Sequence, residues 1–193
     1  LLIIVTMPLL ISAQPLNFGN TFTISSGADG YGRPRVALTN NQPIVIWRKD
    51  STPKTIRASK WNGTGFSNPY NITLSGVSPD SWDGPELATK GDTVYIVFTS
   101  TATTQSSIML IRSFDGGNTF SDTIRVSENN PSHKFRMGNI KIDQNGHPIV
   151  SYMQYLLNWS EPKQMVNRSI TYGDSFIGST EGSFAAPGEP CDC

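Results

Sequence analysis

From Pro85 to Ser127, short apolar runs alternate with polar turns. PELATKG closes on a Gly91-Asp92 turn, and TVYIVFTS follows, dense in β-branched and aromatic residues. A polar loop, TATTQS, leads into SIMLIRS, and a DGGN turn leads into TFSDTIRVS. No helical periodicity runs through these segments, so the pattern predicts four antiparallel strands joined by short turns. The same plan flanks this unit. RPRVALT, PIVIWR, TIRASKW and YNITL precede it; GNIKID, PIVSYMQY, MVNRSI and a fourth strand after Phe176 follow it. The second strand of each set is apolar almost throughout rather than alternating. That suits sheets covered on both faces, as when sheets stack.

The three sets are copies of one unit. SKWNGTGF (Ser59–Phe66), SFDGGNTF (Ser113–Phe120) and SITYGDSF (Ser169–Phe176) share Ser first, Gly fifth and Phe eighth, without gaps. An aliphatic residue stands three positions before each Ser: Ile56, Leu110 and Val166. A second marker keeps nearly the same period, with aromatic residues inside apolar runs at Trp47, Phe98 and Tyr152. A fixed period of this length is the signature of a repeat architecture. GNTF at Gly19–Phe22 is a partial copy. Repeated four-stranded sheets around an axis are the blades of a β-propeller.

The shared turn has a structural task. Asp115 is placed to accept hydrogen bonds from nearby backbone N–H groups, as short acidic side chains do in turns. Gly116 or Gly117 takes positive φ without a Cβ clash. Phe120 is expected to pack inward, a burial worth about 1.5–3 kcal/mol.

IRSFDGGNTFSDTIRVS resembles the Asp-box, or bacterial neuraminidase repeat, of sialidase-like propellers, and PELATKGDTVYIVF resembles the first two strands of such a blade. Ser113, Asp115, Gly117, Thr119 and Phe120 carry the motif; Trp61 and Thr171 stand where the other two units would have its Asp. The resemblance spans about residues 31–176. It implies an all-β, six-bladed β-propeller of four-stranded antiparallel blades. About three blades are expected here, over roughly 31–74, 84–127 and 137–185. Six such units need roughly 320 residues, so the chain of 193 is expected to be half a ring from a longer protein, or one of two half-rings that pair.

LLIIVTMPLLISA, residues 1–13, resembles the apolar region and cleavage site of a secretory signal. It is too short to span a membrane, which takes about 20 residues. A secreted, periplasmic or cell-surface location is therefore expected; the other reading of the segment is a buried strand. The 15 basic residues balance 15 acidic ones, which argues against a nucleic-acid partner. Cys191 and Cys193 are too close for an unstrained bond and lack further ligands nearby, so neither a metal site nor a cofactor is expected. Asn62, Asn71, Asn158 and Asn167 head glycosylation sequons.

Meander topology separates the loops. First and third connections share one end of a blade; second connections and inter-blade links share the other. A ligand site, for a glycan or a protein, is thus expected on the face opposite the Ser113–Phe120 turn. Asp29, Tyr31, Asp80, Trp82, His133, Lys134, Arg48, Asp50, Trp159 and Glu161 fall on or beside that face. Arg33, Asp83, Glu86 and Arg136 lie at or just before first strands and are the candidates to line a central pocket; the alternative is solvated loop charge.

The resemblance implies a glycan ligand and, where catalysis is present, exo-α-sialidase-like hydrolysis. That chemistry takes an arginine cluster around a carboxylate, a carboxylic acid and a Tyr nucleophile. The family's early motif is aromatic-Arg-x-Pro, whereas Gly32 here separates Tyr31 from Arg33-Pro34. No catalytic residue is assigned. A non-catalytic scaffold for protein partners is the competing expectation.

Overall fold

The computed structural model describes residues 19–25 and 32–182. The apolar segment 1–13, Asp29, Tyr31 and the two cysteines lie outside the described residues. Twelve strands form three four-stranded antiparallel sheets, each a simple meander. The first holds β1 (Arg35–Thr39), β2 (Gln42–Lys49), β3 (Thr55–Lys60) and β4 (Tyr70–Ile72). The second holds β5 (Glu86–Lys90), β6 (Thr93–Ser100), β7 (Ser107–Ser113) and β8 (Ile124–Arg125). The third holds β9 (His133–Ile142), β10 (Pro148–Leu156), β11 (Lys163–Arg168) and β12 (Thr180–Glu181). These are β-propeller blades, and the all-β expectation holds. Among the described residues there is no helix long and apolar enough to cross a membrane.

Two seams of apolar side chains hold the blades together. Ile44, Ile46, Ile56, Ala58 and Ile72 of the first blade meet Val94, Ile96 and Phe98 of β6. Tyr95 and Val97, the alternate residues of β6, join Ile108 and Leu110 against Phe135, Ile140, Val150 and Tyr152 of the third blade. Side chains alternate across a strand, so β6 feeds both seams and must be apolar on both faces. This is why TVYIVFTS reads as an unbroken run. In β2 and β10 only one face meets a described neighbour, so the pattern loosens: Ser151 is exposed while Val150 and Tyr152 are buried. On β1, Val36 and Leu38 are exposed.

The turns match their residues. Asn40 and Asn41 both take positive φ, 47° and 61°, between the paired Thr39 and Gln42. That is the two-residue hairpin geometry that Asn tolerates. In the Ser113–Phe120 turn, Asp115 Oδ1 accepts from the N–H of Asn118 (2.9 Å), the N–H of Thr119 (2.9 Å) and the hydroxyl of Ser113 (2.7 Å). Its Oδ2 takes the Thr119 hydroxyl at 2.6 Å. Burial pushes the Asp115 pKa up, but these donors outweigh it and hold the carboxyl well below the usual range. Gly117, at φ 83°, brings its backbone close to the first blade; a Cβ there would sit 2.8 Å from Ile44 Cδ1.

The other two copies of the turn replace the missing carboxylate differently. In the third, Ser169 Oγ accepts from Gly173 N–H at 2.8 Å and Thr171 Oγ1 accepts from Ser175 N–H at 3.0 Å. In the first, Asn62 Oδ1 accepts from Thr64 and Gly65, while Trp61 packs edge-on against Phe66 and Phe22. Phe120 itself is half-buried at the edge of the first seam rather than sunk in it. It caps the seam from the rim, because the turn swings it past the last residues of β4.

The two ends of the blades separate as topology requires. Gly116 N–H donates to Asp92 O at 2.8 Å, joining a third connection to a first connection. At the opposite end, Thr101 N–H donates to Ser78 O at 2.9 Å, joining a second connection to an inter-blade link.

Candidate functional site

The link between the first and second blades, around residues 78–84, is held from three blades at once. From the first, Arg48 interrupts the apolar run of β2; it is 4% exposed and donates from Nη1 to the carbonyl oxygens of Asp80 (2.9 Å) and Ser81. Its Nε pairs with Asp50. A buried guanidinium needs such partners, since desolvation without them costs several kcal/mol. From the second blade, Thr99 accepts the Asp80 N–H at 2.8 Å and donates its hydroxyl to Asp83 Oδ2 at 2.7 Å. From the third, Arg136 grips both carboxylate oxygens of Asp80, at 2.9 and 3.2 Å.

A bulge in β9 makes the third contribution possible. Ser151 pairs with Asn139 and Met153 with Arg136, so β9 carries one residue more than β10 across this stretch. Met137 takes φ 57° within it. The kink aims the Met137 N–H at Asp83 Oδ2, 2.9 Å away, and leaves Arg136 Nη1 4.0 Å from Asp83 Oδ1. Bulges re-aim side chains in this way near sites.

Beside the ion pairs stand two exposed indoles. Trp82 is 71% exposed, with its backbone N–H bound to Asp80 Oδ1 at 2.7 Å. Trp159 is 46% exposed; Lys134 Nζ lies 4.3 Å from its ring centroid and the Arg136 guanidinium carbon 4.9 Å.

Of the four candidates from sequence, the fold brings Asp83 and Arg136 together. Arg33 lies alongside: its Cβ would be 2.6 Å from a Cβ on Gly84, and it is exposed, with no ion pair to a described residue. Its φ of 46° is unusual for a non-glycine residue. Glu86 is set apart. Its carboxylate pairs with the Arg35 guanidinium across the seam between β1 and β5, through Nε at 2.7 Å and through Nη2. It is not paired with Arg136 or Asp83, since Arg35 from the neighbouring blade occupies it. The third blade starts earlier than the expected residue 137, since β9 begins at His133. Asp80, the hub of the site, stood among the loop charges without a signal to single it out. Arg48 had one: a cation inside an apolar strand implies a buried acceptor.

Two clefts lie away from this link. One of about 380 Å³ flanks Arg112, Phe114, Asp115 and Phe120. It is a rim groove between turns, lined by residues already engaged in holding the blade. Among the described residues no group of three His, Cys, Asp or Glu is placed to hold a metal.

No protein-family model and no curated protein matches the sequence. Solved structures do match in fold. A Hadza microbial sialidase superposes with a TM-score of 0.55 at 16% identity, over 74% of this chain and 36% of its own. The fold is that of propeller-type glycoside hydrolases. A Penicillium chrysogenum α-L-arabinanase, complexed with arabinobiose, gives 0.58 at 10% identity, over 82% and 54% of the two chains. An ulvan lyase gives 0.51 at 13% identity, over 81% and 41%. The chain thus spans between about a third and a little over half of the length of these structures.

Proposed function

We propose that this chain is part of an exported, sialidase-like propeller that binds glycans on the face carrying Arg33, Trp82, Asp83, Arg136 and Trp159. The Ser113–Phe120 turn is read as an Asp-box that pins the opposite rim. The observation that carries the binding reading is the residue 78–84 link. Four hydrogen-bonded anchors, Arg48, Thr99, Arg136 and the Met137 N–H, hold it rigid while it presents an indole to solvent. Rigid loops that display polar and aromatic groups are what ligand recognition requires. The neighbours named above act on or bind saccharides, which supports a carbohydrate ligand.

Binding is favoured over turnover within this half. Arg136 and Glu86 are already engaged by Asp80 and Arg35, so neither is free to clamp or protonate a sugar. A scaffold for protein partners is the second reading, supported by the same engaged charges. Two assays decide. A fluorogenic sialoside is incubated with the full-length protein and its Asp83→Ala variant; no turnover by the former and no change in the latter ends the hydrolase reading. An oligosaccharide array follows; an array with no bound sugar ends the glycan reading and leaves the scaffold.

A further inference from the structure

The two exposed tryptophans are joined by a single ion pair. The backbone N–H of Trp82 binds Asp80 Oδ1, Asp80 takes both Nη atoms of Arg136, and the Arg136 guanidinium lies over the Trp159 ring. Each indole also has its own support. The Trp82 loop is fixed by Arg48, and Trp159 donates its backbone N–H to Leu156 O at 2.9 Å while Tyr155 meets its ring edge-on at 5.6 Å. Keeping two large apolar rings in water on a fixed backbone forgoes their burial. The C–H face of a pyranose or furanose covers such a ring well, while its hydroxyls reach flanking polar groups.

Charge then selects the ligand class. Asp80 fills the terminal edge of Arg136, Asp83 stands 4.0 Å from the same guanidinium, and Arg136 Nε is buried without a partner. An incoming carboxylate would meet two carboxylates before it met an open guanidinium edge. Bidentate recognition of an anion needs that edge. Of the cations described on this face outside an ion pair, Arg33 is exposed and Lys134 lies over the Trp159 ring at 4.3 Å, and single cations open to water give little discrimination.

We propose that Trp82 and Trp159 form a stacking platform for an uncharged oligosaccharide, with the Arg136–Asp80 pair tying the Trp82 backbone to the Trp159 ring instead of binding an anion. This deepens the glycan reading above and rests on it. The test titrates the full chain by calorimetry with cellotriose, arabinobiose and 3′-sialyllactose, backed by an array of neutral and acidic oligosaccharides. The expected result is binding of a neutral sugar that persists in 1 M NaCl. It should weaken at least tenfold in both Trp82→Ala and Trp159→Ala, with partial recovery in Trp82→Phe. Melting temperatures of these variants, which remove exposed side chains, control for misfolding. Binding confined to acidic sugars and abolished by Arg33→Ala or Lys134→Ala overturns the proposal but leaves the glycan reading standing. Neutral binding that ignores both tryptophans also overturns it. No binding on the whole array overturns both.

Discussion

Tyr70 of β4 donates its hydroxyl to the carbonyl of Gly117 at 2.6 Å, tying the outermost strand of the first blade to the turn of the second. The positive φ of Gly117 and its closeness to Ile44 are what require a glycine there. Gly117→Ala would force a Cβ to within 2.8 Å of Ile44 and strain a φ of 83°. A loss of about 1–3 kcal/mol is expected, read as a lower denaturation midpoint with unchanged m-value. Tyr70→Phe should cost about 1 kcal/mol.

The same tyrosine makes the protein alkali-sensitive. Burial, with a smaller push from the Asp115 charge, raises the Tyr70 pKa to about 12. Its neutral form is favoured by folding, so the stabilisation is intact below the unfolded value near 10 and is lost as pH climbs from about 10 to 12. Thermal melts across that range should fall less steeply in Tyr70→Phe than in wild type.

Acid acts on the turns with the opposite sign. Hydrogen bonds hold Asp115 well below the ordinary carboxylate range. The His147 N–H, opposed by burial and helped by Arg168, brings Asp143 to about 2. Depressed carboxyls stabilise above their unfolded pKa, so stability should decline as pH drops below about 4 and continue down through the folded values. Asp115→Asn should be less stable at pH 7 and show a shallower decline between pH 4 and 2, checked by urea titration.

Depth in the seam ranks the aromatic residues. Phe98 is 1% exposed at the centre of the first seam, whereas Phe120 is half-buried at its edge. Phe98→Ala should cost about 3–5 kcal/mol and Phe120→Ala distinctly less. Equal losses would contradict the placement of Phe120.

Asp80→Ala removes the acceptor for Arg136 and the brace of the Trp82 backbone together. Leaving the Arg136 guanidinium with only the longer Asp83 contact should cost about 1–3 kcal/mol. The change is read as a lower melting temperature and as faster amide exchange in residues 78–84.

Much of the fold was legible because its signals are local. The limits of β6 and β7 coincide with TVYIVFTS and SIMLIRS, which are bounded by Gly-Asp, polar and Asp-Gly turns. The start of β9 was not, because HKFRM carries no apolar run and pairs only through the Met137 bulge. β8 and β12 fall inside the fourth strands expected in TFSDTIRVS and after Phe176, but keep only two residues each. Meander topology assigned Asp83 and Arg136 to one end of the blades, and there they lie 4.0 Å apart. The partners Asp80 for Arg136 and Arg35 for Glu86 did not follow from it. They depend on how far one blade is turned against the next, a quantity set by packing over many residues.

The double duty of β6 has a consequence for how substitutions combine. Val97 and Phe98 are peptide-bonded yet answer to different neighbours, so damage at one should leave the other nearly indifferent. Val97 and Tyr152, far apart along the chain, should instead fail together.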